Sequence, residues 1–168
     1  MAFLISLSII LTRILSVRIP LFGVEGIRIG FGALPIIFAG VVFGPAAGGI
    51  VGAVADLIGY WINPIGAYMP HFTFTAFLTG FIPGLLIFYV FKGNKTIWTL
   101  LISIAIGQTI SSVILVPYFI HILFGAPLKA ILIPRLISQP INTPIYAYLT
   151  RMLLNYNYIN SIQEAKVS

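Results

Sequence analysis

Ionisable side chains are almost missing from long stretches of this chain, and that constrains its fold more than any other feature. Only 7% of residues are charged, 60% are apolar and the mean hydropathy is +1.10. So little polar surface cannot cover a water-facing body, so lipid must wet most of the exterior. A hydrocarbon layer of about 30 Å takes roughly 20 helical residues to cross, so about six spans use up the 168 residues. The expectation is an all-α integral membrane protein of six transmembrane helices forming a single domain over residues 1–168.

The interruptions set the spans. The first runs from Met1 to about Ile19 and ends at Pro20, followed by a loop holding Gly23, Glu25, Gly26 and Arg28. Gly30 to Phe43 and Ala46 to Ile62 are the second and third, split by Gly44-Pro45, where proline cannot continue the hydrogen-bond ladder. Asn63 to Pro70 (NPIGAYMP) resists regular helix and predicts an ordered Pro/Gly-rich loop between helices 3 and 4. The fourth span starts near Phe72 and ends at Lys92-Gly93-Asn94-Lys95, and the fifth covers Thr96 to about Leu123. The last runs from about Ile131 to Leu154 through Pro134, Pro140 and Pro144, leaving Asn155 to Ser168 as a polar tail. An even number of spans puts both termini on one side. Lys92, Lys95, Arg151 and Lys166 lie on that side against Arg18, Arg28 and Lys129 opposite, a balance that favours cytoplasmic termini.

Gly40, Gly44, Gly48 and Gly52 recur every four residues, a spacing that lets helix backbones approach closely in lipid. The first span repeats small residues on two faces, Ala2-x-x-x-Ser6 and Ser8-x-x-x-Thr12-x-x-x-Ser16, and one of them is a candidate surface for a partner protein.

A charge at the bilayer centre costs about 2.5 to 3.5 kcal/mol, which makes intramembrane ionisable residues the first place to look for function. Asp56 is the one carboxylate deep in a span, and either pairs structurally, with Arg13 or helix-end groups, or serves a relay. A relay needs several such groups along a path, so an ion-coupled pump is not expected. Catalysis finds little support: His71 and His121 stand far apart without a carboxylate near them in sequence, no HExxH or GxSxG occurs, and the Gly93-Asn94-Lys95-Thr96 stretch lacks the glycines of a phosphate-binding loop. Without cysteine there are no disulfides, thiolates or Cys-based metal sites, and no metal or other cofactor is expected. The nine basic residues are scattered singly and form no nucleic-acid-binding patch despite a net charge of +6. What remains is one face, opposite the termini, where Arg28, the Asn63 to Thr73 loop, Lys129 and Arg135 gather. Arginine forks beside aromatic faces suit a planar, anionic organic ligand; each arginine taken singly also fits a snorkelling side chain.

At these residues the sequence resembles a known family. Arg28-Ile29-Gly30-Phe31-Gly32-Ala33-Leu34-Pro35, Phe43-Gly44-Pro45, Asp56, Gly66-x-Tyr68-x-Pro70-x-Phe72-Thr73, Pro134-Arg135 and Gln139-Pro140-x-x-x-Pro144 are similar to the substrate-binding S components of energy-coupling factor (ECF) vitamin transporters, nearest to the folate type. The resemblance implies a bacterial plasma-membrane subunit that captures folate from outside and docks from its cytoplasmic side on a transmembrane coupling protein carrying two ATPases, which matches a chain with no nucleotide site. It further implies that Arg28 and Arg135 hold anionic or polar groups, that Phe31, Tyr68, His71 and Phe72 line a ring pocket, and that Gly30, Gly32, Thr73 and Gln139 complete the site. Ala2 and Ser6 become the docking face, although Ser6 stands where an alanine is expected. Asp56 and Arg13 remain structural intramembrane charges. The alternatives are an S component for another anionic vitamin such as pantothenate, a small membrane enzyme using Asp56 and His71, or a scaffold without a ligand.

Overall fold

The computed structural model describes the backbone of residues 1–13, 17–21, 24–62, 68–125 and 127–167, and the side chains of that set except at 13, 17–21, 24–29, 124 and 157–167. Among the described residues the chain forms six helical runs and one strand pair. Helix α1 (Ala2–Arg13) is followed by an antiparallel hairpin of β1 (Val17–Leu21) and β2 (Val24–Ile29). Then come α2 (Ala33–Phe43), α3 (Pro45–Ile62) and α4 (Pro70–Leu85), the last extended by a π-helical turn over Leu86–Val90. The fifth run joins α5 (Ile97–Gln108), a π-helical stretch over Thr109–Leu115 and α6 (Val116–Phe124); α7 covers Leu128–Val167. Pro45–Ile62, Pro70–Val90 and Ile97–Leu123 are each long and apolar enough to cross a membrane, with Ala2–Thr12 and Ala33–Phe43 as shorter apolar helices.

The helical membrane fold is as expected, with corrections at the edges. The first helix stops at Arg13, short of Ile19, because Val17-Arg18-Ile19 and Val24 to Ile29 carry the β-branched residues that favour strands. The hairpin register sets Val17 opposite Ile29, Arg18 opposite Arg28 and Ile19 opposite Ile27, and slips between Ile19 and Leu21. Pro20, which has no N–H to give to the ladder, lies at that slip. The last helix starts at Leu128 and stays helical to Val167, so the expected tail from Asn155 is backbone helix. Residues 63–67, the centre of the loop expected between the third and fourth spans, lie outside the described residues.

The glycine stripe packs as its spacing predicts, with one exception and one addition. A Cβ on Gly48 would lie 2.5 Å from the Gly40 Cα and 2.7 Å from the Gly80 carbonyl oxygen, so α2, α3 and α4 meet backbone against backbone. Gly80 and Gly84 of α4 complete the contact: a Cβ on Gly84 would stand 2.7 Å from the Gly40 carbonyl oxygen. Gly44 takes no part, since nothing lies within 4 Å of its would-be Cβ; its φ of 100° makes the turn into Pro45. Ile36, Ala39 and Val51 seal this corner against Leu4 and Ile5 of α1, and a second core unites Leu34, Ile37, Val41, Ile87, Leu100, Ile104, Tyr146 and Ala147.

Helix α2 has 11 residues and α3 has 18, rises of about 17 and 27 Å. The tight Gly44 turn joins them at one level, so the start of α2 lies about 10 Å below the end of α3. Main-chain polar groups at that depth need partners from the protein, because lipid offers none. Gly30 receives the Tyr146 hydroxyl and Gly32 the Ser8 hydroxyl at 2.9 Å. Elsewhere the exterior is apolar, with Trp61 and Tyr118 exposed toward one end of the bundle and Tyr89 and Trp98 toward the other, the positions of interfacial aromatic belts.

Candidate functional site

Two polar groups lie in the bundle, one at the end where α3 ends and α4 begins and one deeper, about midway along α4 and the fifth helical run. The first is a mouth. Asp56 stands six residues before the end of α3, about 9 Å of helix rise, and is therefore nearer that rim than the bilayer centre. Its carboxylate accepts the Thr73 hydroxyl at 2.8 Å, and the Tyr68 and Thr73 hydroxyls are 3.1 Å apart. Tyr68 also packs against Tyr60, with ring centroids 5.2 Å apart. Across from them His71 packs on Phe119 at 4.8 Å, tying the first turn of α4 to α6. Phe72, half-buried beside His71, uses its main chain to start the helix: its N–H bonds the Met69 carbonyl and its carbonyl accepts the Thr75 hydroxyl at 2.7 Å.

The second group is a polar seam between α4, the π-helical stretch and α7. Thr79 of α4 lies 3.1 Å from Ser111, whose hydroxyl donates to the Gly107 carbonyl at 2.8 Å. Ser112 donates to Gln108 Oε1 at 3.1 Å, while the Ser112 carbonyl accepts from Arg135 at 3.2 Å. One turn along α7, Gln139 donates to the Ala105 carbonyl at 3.3 Å and to the Thr109 hydroxyl. Arg135 and Gln139 are thus i, i+4 neighbours on the face of α7 turned to the π stretch. That stretch precedes Pro117, whose ring and missing N–H loosen the ladder behind it, and π turns of this kind recur at functional sites.

The structure therefore brings Tyr68, Thr73 and Asp56 together, places His71 and Phe72 beside them, and joins Arg135 to Gln139. Gly30 and Gly32 lie where α1, α2 and α7 meet; a Cβ on Gly32 would collide with Thr12, so close packing explains that glycine. Phe31 lines a hollow of about 510 Å³ with Pro144, Ile145, Tyr148 and Leu149, none of them mouth residues. Arg28 is in β2 opposite Arg18, and its side chain, like that of Arg13, lies outside the described residues. Asp56 takes a hydroxyl partner in Thr73. On α1 the two small-residue faces separate: Ser8 and Thr12 turn inward to Gly32, whereas Ala2 and Ser6 are exposed. Missing from the sequence reading are Tyr60, Phe119, Thr79, Gln108, Thr109, Ser111 and Ser112. The run Gln108-Thr109-Ile110-Ser111-Ser112, polar but uncharged inside an apolar span, is the signal that marks those of the fifth span in the sequence.

The family model for the ECF-type riboflavin transporter S component matches residues 1–158. The folate transporter FolT of Clostridium novyi (strain NT) is 38% identical over 149 residues, 88% of this chain and 81% of that protein. FolT of Leuconostoc mesenteroides subsp. mesenteroides is 28% identical over 168 residues, 95% and 85% of the two chains. Among solved structures, FolT bound with folic acid superposes with a TM-score of 0.74 at 29% identity, over 89% of this chain and 86% of that one. The S component of a bacterial ECF transporter gives 0.62 at 26% identity, over 92% and 93%. With its helical membrane fold and a family match along nearly the whole sequence, the chain belongs to the S components of ECF-type transporters, subunits that serve transport and not catalysis.

Proposed function

We propose that this chain is a folate-binding S component: it captures folate or a close derivative from outside the cell membrane and passes it inward when docked on an ATP-driven coupling module. The whole of residues 1–168 acts as one body in this reading, with both termini cytoplasmic. The observation that carries the choice of folate is the 38% identity, over 88% of the chain, to a folate transporter. The site chemistry agrees with a flat ring bearing a dicarboxylate tail. Tyr68, His71 and Phe72 offer ring faces and Thr73 and Gln139 offer hydrogen bonds, while Gly30, Phe31 and Gly32 border the ligand in this reading only from the α1–α2–α7 junction. Arg135, with Arg28 from the hairpin, supplies cationic donors for the anionic groups.

The partners in this reading are a transmembrane coupling protein and two ATPases, with Ala2 and Ser6 as the exposed docking face of α1. Ser6→Leu is expected to leave ligand binding intact and to abolish co-purification with the coupling subunits; retained co-purification would remove Ser6 from that face.

One observation favours a second reading, a riboflavin-binding S component, since the matching family model carries that description. Titration of the purified chain with folic acid, riboflavin and pantothenate separates the readings. Folic acid is expected to bind tightest, and tighter binding of either competitor would overturn the folate assignment.

A further inference from the structure

Gln108 carries a group that the fold leaves unused. Its side chain is 9% exposed, and its Oε1 accepts the Ser112 hydroxyl at 3.1 Å. Its Nε2 is buried and finds no hydrogen-bond partner among the described residues. Ser103, Thr143 and Thr150 also hold buried hydroxyls without partners among the described residues. A helical hydroxyl can turn onto the carbonyl four residues back, as Ser111 and Thr109 do here. A glutamine amide whose oxygen is already held has no such escape, and its N–H groups aim away from Ser112. Leaving such a donor buried and unmade forfeits its hydration with nothing in return. The fold keeps it, one helical turn from the Ser112 carbonyl that receives Arg135.

We propose that Gln108 is a specificity-determining residue of the ligand site, donating from Nε2 to an acceptor on the edge of the bound heteroaromatic ring. The assignment rests on the folate reading above, and the acceptor is then the 4-oxo edge of the pterin. Ser112 fixes the amide, Arg135 lies beside it, and the ligand completes the amide's hydrogen bonding. A site built around an unpaired donor rejects analogues that present another donor there, because both groups then stay unsatisfied.

Aminopterin provides the probe, since it carries an amino group where folic acid has the 4-oxo group. Both compounds are titrated into the purified full chain and into Gln108→Met, with melting temperatures recorded for the ligand-free proteins. The parent is expected to prefer folic acid. Gln108→Met should lose about tenfold or more in affinity for folic acid and much less for aminopterin, while melting no lower than the parent. Gln108→Glu, which turns the donor into an acceptor, should shift the preference toward aminopterin. Loss of folding in Gln108→Met, or a lower melting temperature with both ligands weakened alike, would make Gln108 structural and overturn the proposal. An unchanged preference in both variants would overturn it too, with the folate reading still standing. If the parent binds no folic acid, the folate reading falls and this assignment with it.

Discussion

The α2–α3–α4 corner and the α5–α7 side solve the same problem, holding helices together in lipid, by opposite means. The corner uses absence of side chains: Gly40, Gly48, Gly80 and Gly84 let three backbones touch, and dispersion between them does the holding. The α5–α7 side uses hydrogen bonds, from Arg135 and Gln139 on α7 to the Ser112 and Ala105 carbonyls and Thr109, across a helix opened by a π stretch. Backbone contact of the first kind has one solution and tolerates nothing larger. A polar seam can exchange partners, and this one keeps a buried amide in reserve. The rigid corner thus serves as the frame, and adaptability is concentrated where the ligand is proposed to sit.

Three substitutions strain that comparison. Gly48→Leu should have the largest effect, since even a Cβ there meets the Gly40 backbone at 2.5 Å and neither side can yield. The expected outcome is loss of monodisperse protein by size-exclusion chromatography, and a Gly48→Leu chain that folds and binds normally would refute the rigid-frame view. Arg135→Ala comes next, with folic acid affinity falling by about 2 to 5 kcal/mol, roughly 30-fold to several thousand-fold by calorimetric titration. Folding should survive, because the seam has other bonds; equal binding by the variant would take Arg135 out of the site. Thr73→Val is smallest, removing the donor that Asp56 accepts at 2.8 Å, for about 1 to 3 kcal/mol of thermal stability. An unchanged melting temperature would mean that the mouth contributes nothing to the frame.

The spans were legible because prolines, glycines and basic residues punctuate the apolar runs, and Gly40, Gly48 and Gly52 revealed their packing through spacing alone. Three features were not. The apolar run of the first span continues past Arg13, so hydropathy cannot mark where helix gives way to hairpin; only the β-branched pattern does. Gly44 shares the period of its neighbours, yet Pro45 after it makes it a turn. At the candidate site, Arg135 and the loop holding Tyr68 and Thr73 stood out by residue type and Gln139 through the family resemblance, whereas Gln108 and Ser112 become visible only once Arg135, 23 residues beyond Ser112, reaches the π stretch. Such a pairing is a property of the packed bundle and leaves no mark in a local window.

The shortness of α2 bears on how a ligand travels. With the Gly30 to Gly32 segment about 10 Å below the end of α3, the bundle holds a step at that end, where the Gly30 and Gly32 carbonyls accept the Tyr146 and Ser8 hydroxyls. In the proposed folate-binding reading, a hydrated, charged ligand arriving over that step exchanges water for protein donors below the level of the α3 end. In that reading the slow part of capture is the shedding of its hydration shell, so the rate of association should respond to the ligand's charge state more than to its size.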